Sequence, residues 1–179
     1  DSVNLMTYDM GTAFSSVSTF NAPLREVAGD PLPPELRRAN NVEGAVDFYL
    51  EHGVPADKLV LGVPFYGRGF RVKNAANDGL YQAYTEPYAP GDWRDIQSKL
   101  LNDGKWTQHW HDVAQTPYLF NAHEKIFVSF EDPRSIALRS QLAKERGLRG
   151  VFMWELTGDD DQRSLLKAMA APFVATPAR

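Results

Sequence analysis

The chain has 179 residues, 43% of them hydrophobic, with a formal net charge of −4 and no cysteine, and a mean hydropathy of −0.40; that is enough apolar material for a folded core, which excludes disorder. Acidic and basic residues are mixed, with no basic run interleaved with aromatics, so nucleic acid is not expected as a partner; no apolar run reaches the roughly 20 residues of a bilayer span, so neither is a membrane. Zero cysteines remove disulfides, thiol nucleophiles and Cys-type zinc sites, and leave the compartment open.

Val3 to Tyr8 is a short apolar-rich run closed by Asp9-Met10-Gly11, which predicts a buried strand ending in a loop. The chain opens directly on this strand, which reads as a piece of something larger. Ser15 to Asn41 is rich in Ser, Pro, Asn and Gly, and Pro31, Pro33 and Pro34 predict a surface loop without continuous helix or strand. Asn41 then reads as the N-cap of a helix with Val42, Ala45, Val46, Tyr49 and Leu50 at helical spacing and Gly53 past its end. Lys58 to Tyr66 is apolar on both faces, as a strand covered on both sides must be, and ends in Gly67-Arg68-Gly69.

From Phe70 to Phe130 the character changes to dense aromatics and short strand-like runs, Gly104 to Trp110, Pro117 to Phe120 and Ile126 to Phe130. This predicts an inserted α+β module. Asp132-Pro133 opens a second helix capped by Gly147, Leu148 to Leu156 is a third buried strand, and Gln162 to Ala170 is a final helix. Parallel-type strands alternating with helices indicate an α/β chain. Three strand–helix units cannot close an eight-stranded barrel, so the expected fold is a partial (β/α)8 TIM barrel with an inserted α+β domain. The expected division is a barrel segment at 1–69, the insertion at 70–130, and a barrel segment with the last strand and helix at 131–179.

In such barrels chemistry sits at the C-terminal strand ends. Those ends here carry Tyr8-Asp9, Tyr66-Gly67-Arg68 and Trp154-Glu155. An indole or phenol offers a flat face to a pyranose, and carboxylates and Arg fork onto hydroxyl and amide groups, so the three together point to carbohydrate. Taken singly, each is equally well an ordinary strand-end residue.

Met6-Thr7-Tyr8-Asp9, Leu61 to Phe70 and Gly150 to Glu155 resemble the last three strands of family 18 chitinases. Thr116 to Phe120 and Phe130 to Ser135 are similar to the end of the chitinase insertion domain and the start of the penultimate barrel helix. The resemblance runs from Val3 to Phe173. It implies hydrolysis of β-1,4-linked N-acetylglucosamine with retention, in which the substrate's own acetamido oxygen attacks the anomeric carbon. By that resemblance Tyr8 and Asp9 are catalytic, stabilising the intermediate and holding the sugar. Met6, Phe14, Tyr66, Arg68, Trp154 and Glu155 bind substrate, with Met6 and Trp154 beneath the sugar and Phe14 stacking beyond the scission point.

The family's proton donor ends an Asp-x-x-Asp-x-Asp-x-Glu stretch, which occurs nowhere in these residues. The chain alone is therefore expected to be inactive or nearly so. A non-catalytic chitin- or chitooligosaccharide-binding lectin is the alternative. Asp159-Asp160-Asp161 reads as a helix cap and Glu155 as an ordering or ion-pairing group. Trp93, Trp106 and Trp110 read as cleft wall or core. His109 and His111 share a strand face without a third ligand in view, so no metal is expected, and no cofactor. The expected partner is chitin or a chitooligosaccharide, together with self-association through an open barrel edge. The resemblance implies a secreted, extracellular protein.

Overall fold

Residues 1–174 are described by a computed structural model. Positions 175–179, the end of the expected 131–179 segment, lie outside them. Two sheets organise the chain. The first is parallel and three-stranded, built from β1 (Val3–Leu5), β2 (Leu59–Pro64) and β8 (Gly150–Trp154), in the order β1-β2-β8. The second is antiparallel, in the order β4-β3-β7-β6-β5, from β3 (Arg68–Val72), β4 (Tyr84–Tyr88), β5 (Thr107–His111), β6 (Thr116–Asn121) and β7 (Ile126–Ser129).

The central strand β2 is apolar throughout because both its edges and both its faces are covered. Leu61 pairs with Leu5 on one side and Val151 on the other. Gly62 lies where a Cβ would come within 2.6 Å of the Leu5 carbonyl and 2.7 Å of the Phe152 ring, so this position admits no side chain. The main core gathers Leu59, Leu61, Val63 and Phe65 with Val46, Trp93, Ile136 and Leu165. A second cluster, centred on Phe20, Phe70, Phe120 and Phe127, seals the five-stranded sheet.

Helices flank the parallel sheet. Helix α2 (Val42–Glu51) starts where the sequence places it, the Asn41 side chain accepting from Gly44 N at 2.8 Å, and Gly53 follows it at φ +83°. Helix α4 (Pro133–Glu145) opens on a capping box between Asp132 and Ser135. The last helix, α5 (Ser164–Ala170), begins two residues later than its pattern suggests, because Arg163 stands in the left-handed region at φ +55°. A short turn of helix, α3 (Trp93–Asp95), lies between β4 and β5 and runs on as a π-helical stretch over Ile96–Leu100.

Two expectations need correction. The Ser15–Asn41 stretch is not wholly loop: α1 (Pro34–Ala39) lies within it, with Pro34 in its first turn, where the missing amide proton has no intrahelical partner to lose. Strands β3 and β4 had no separate reading. β3 carries Arg68 between two glycines and Arg71 between Phe70 and Val72 rather than a marked strand pattern, and β4 holds Pro87, which an edge strand tolerates. Residue 69, the expected segment boundary, lies inside β3.

Candidate active site

The strand order brings the C-terminal ends of β1, β2 and β8 side by side. Immediately past β1, the Thr7 hydroxyl donates to the Gly62 carbonyl at 2.6 Å and ties this end to β2. Tyr8 turns its ring inward, edge-on to Tyr66 and Phe152 at 6.1 and 6.4 Å. Asp9 stands at φ +59°, a backbone region open to Asp but unusual for it. Its amide donates to the Asn21 side-chain oxygen at 2.9 Å.

Asp9 is the hub of the site. Its Oδ1 accepts from the Tyr66 hydroxyl at 2.7 Å and from Arg68 Nε at 2.9 Å, and lies 2.7 Å from Arg68 Nη2. The guanidinium also sits 5.1 Å from the centre of the Tyr66 ring. Burial pushes the Tyr66 phenol far above its usual range, and the hydrogen bond to the Asp9 carboxylate pushes the same way. Burial, then the Asp9 charge, raises Tyr8. Both phenols therefore stay protonated at neutral pH, and a neutral phenol is a hydrogen-bond donor.

These groups line one cleft of about 880 Å³, together with Met6, Trp154 and Glu155. Met6 is 71% and Trp154 57% exposed, two large apolar side chains left facing the same opening. Trp154 is fixed through its carbonyl, which accepts from Phe65 N at 2.8 Å. The Trp154–Glu155 peptide is cis. Glu155 accepts a hydrogen bond from the Thr157 hydroxyl.

Phe14 is separate from these seven. It is 98% exposed and lines a neighbouring hollow of about 530 Å³ with Met10, Leu36 and Asn40. The tryptophans of the inserted region do not line the cleft either. Trp93 is buried, donating to Asp160 Oδ2 and Ser164 Oγ at 3.0 Å each, Trp106 packs near Tyr88, and Trp110 lies under the Arg134 guanidinium at 3.6 Å. His109 stacks on Tyr118 with its centroid 4.7 Å away, and His111 Nδ1 accepts from Ala114 N at 3.0 Å.

Asp159 and Asp160 cap α5. Asp159 Oδ1 accepts from Leu165 N at 3.1 Å and Oδ2 from Leu166 N at 2.8 Å, while Asp160 Oδ1 accepts from Ser164 N at 3.0 Å. Two contributors escaped the sequence. Asp92, after the left-handed Gly91, adds a carboxyl to the cleft, and burial followed by the charges of Asp95 and Glu155 holds it above the usual carboxylate range. Its only signal was a Gly-Asp turn ahead of a helix. Asn21 lay in a stretch without periodicity, where nothing marks a buried amide.

The family model described as glycosyl hydrolases family 18 matches residues 1–159. Chitinase A1 of Niallia circulans is 39% identical over 168 residues, covering 89% of this chain and 24% of that protein. Chitinase B of Serratia marcescens is 29% identical, covering 98% of this chain and 44% of that one. A Group IV chitinase of Ostrinia furnacalis, solved in complex with allosamidin, superposes with a TM-score of 0.87 at 28% identity, covering 97% of this chain and 50% of that one. A family 18 N-acetylglucosaminidase of Paenibacillus barengoltzii gives 0.85 at 29% identity, over 96% of this chain and 48% of that one. The chain thus spans about a quarter to a half of the length of these relatives. Its mixed α/β fold and the family match agree: the chain belongs to the glycosyl hydrolases of family 18 and aligns with that family's chitinases over nearly its whole length.

Proposed function

We propose that this chain carries the sugar-binding part of a chitinase cleft that hydrolyses β-1,4-linked N-acetylglucosamine. The observation that carries the reading is the Asp9 hub: a carboxylate fixed by Tyr66 and Arg68, in one cleft with a protonated Tyr8 and the exposed side chains of Met6 and Trp154. A flat indole suits the C–H face of a distorted pyranose, and the fixed carboxylate suits its polar substituents. In this reading the Tyr8 hydroxyl donates to the substrate's acetamido group as its oxygen attacks the anomeric carbon, and so stabilises the charged cyclic intermediate. Tyr66 and Arg68 order the carboxylate and bind neighbouring hydroxyls. Glu155, held by Thr157, orders the rim.

The three-stranded parallel sheet, in this proposal, is the last three strand–helix units of a (β/α)8 barrel. The five-stranded sheet is the insertion domain that walls the cleft, with residues 70–130 as its approximate extent. No Asp-x-x-Asp-x-Asp-x-Glu stretch occurs in the 179 residues, so the leaving-group proton comes from another strand of the parent protein. The parent is secreted to meet an insoluble polymer. A second reading is a lectin that holds the sugar without cutting it; it is supported by the roles proposed for these cleft residues, which are all binding or stabilising ones.

Release of chromophore from a chromogenic chitobioside separates the readings. Turnover only when the upstream strands are restored supports the chitinase. Turnover by the 179-residue chain alone would overturn the account of the proton donor and redirect it to Glu155 or Asp92. No turnover by either, with sugar binding retained, favours the lectin.

A further inference from the structure

We infer that Asn21 is a positioning residue: its buried carboxamide holds Asp9 and Tyr66 in the mutual register that lets them bond. Asn21 is fully buried, 0% exposed, in the irregular stretch between β1 and α1. Its Oδ1 accepts the Asp9 amide at 2.9 Å and its Nδ2 donates to the Tyr66 carbonyl at 3.4 Å. A buried amide that merely closed its own loop would bond only within that loop. This one holds Asp9, four residues past β1, and also reaches out of the loop to Tyr66, two residues past β2, and the side chains of these two residues meet at Asp9 Oδ1.

The Asp9 backbone needs such support. A non-glycine residue in the left-handed region persists when its surroundings fix it, and Asp9 is fixed at φ +59° with its amide on Asn21 and the next amide, that of Met10, on the Asn21 carbonyl at 2.9 Å. Asn21 is in turn held from the five-stranded sheet, its own amide donating to Ser129 Oγ at 2.9 Å. One residue thereby connects β1, β2 and β7 at the point where Asp9 Oδ1 gathers Tyr66 and Arg68. Asn21 touches no reacting atom; it acts through Asp9.

The test uses the 15N-labelled 179-residue chain and two readouts. The first is exchange with water of the Arg68 Nε proton, which donates to Asp9. The second is affinity for chitotetraose, which rests on the proposed sugar-binding reading. Asn21→Ala removes both carboxamide bonds and is expected to speed the exchange and to weaken the sugar about tenfold, the size of one sugar hydrogen bond lost when the Asp9 carboxylate is no longer fixed. Asn41→Ala removes the N-cap of α2, away from the cleft and from Asn21. It is expected to lower the melting temperature while leaving both readouts near the unaltered chain.

Unchanged Arg68 exchange in a folded Asn21→Ala chain overturns the inference, and so does an equal effect of Asn41→Ala. Should Asn21→Ala not fold, Asn21→Asp retains the acceptor for the Asp9 amide: slow exchange of that amide supports the inference, and fast exchange defeats it. If the unaltered chain takes up no chitotetraose, the sugar reading falls, while the Arg68 exchange still decides the role of Asn21.

Discussion

Tyr8 contributes one atom to the proposed chemistry, its hydroxyl. Its ring is packed against Tyr66 and Phe152, so Tyr8→Phe keeps the packing and deletes only the donor. In the parent protein this is expected to lower kcat on a chromogenic chitobioside by roughly 10² to 10³-fold with little change in melting temperature, the size seen when a single stabilising donor is removed. A drop of less than about threefold would remove Tyr8 from the mechanism. Asp92 makes a second prediction, in stability. Because burial and the charges of Asp95 and Glu155 raise its folded pKa, the fold disfavours its ionised form. The resulting destabilisation is present at pH above the raised value and vanishes below the ordinary carboxylate range near pH 4. Asp92→Asn should therefore raise the melting temperature at pH 7 and leave it unchanged at pH 3, read by calorimetry at both. Strand-end residues such as Tyr8, Tyr66 and Trp154 were legible in sequence because an apolar run points at them. Asp92 and Asn21 were not, since their positions depend on contacts between irregular segments that no local pattern encodes.

Among the elements, α5 depends on Asp159. The carboxylate is buried and accepts from Leu165 N, Leu166 N and its neighbour Asp160 N. Asp159→Ala leaves these amides without their acceptor and is expected to cost about 1–2 kcal/mol in a urea titration, the usual range for a lost cap. A cost below ~0.3 kcal/mol would show that water replaces the carboxylate freely. Helices α2 and α4 were readable to within a residue or two because their caps, Asn41 and Asp132-Pro133, sit directly before periodic runs. Helix α1 was hidden by the prolines that begin it, and β4 by Pro87. In each case the residue that breaks an interior is harmless at an end or an edge.

At the scale of the molecule, β1 and β8 are the outer strands of the parallel sheet among the described residues. Unpaired strand edges recruit other strands. The 179-residue chain is thus expected to run as a dimer or larger species in sedimentation at tens of micromolar, and the parent protein, with its upstream strands, as a monomer. A monomeric 179-residue chain with native-like spectra would defeat the expectation. The α/β class was legible from alternating strands and helices, whereas the pairing order was not, because it joins residues far apart in the chain.

Among the hydrogen bonds of the described residues, that separation is widest at Arg139. Its guanidinium is fully buried beside Glu131 at 2.9 Å and donates to the Ala22 carbonyl, the residue after Asn21, across 117 positions of sequence. Burial pushes Glu131 up and Arg139 down, so neither charge is stable there without the other. On a ribosome adding ~5–20 residues per second, the segment around Asn21 emerges about 6–23 s before the arginine that anchors it. Through that interval the Ala22 carbonyl lacks its guanidinium partner, so the tie between this segment and α4 forms late in synthesis, only once α4 has been made.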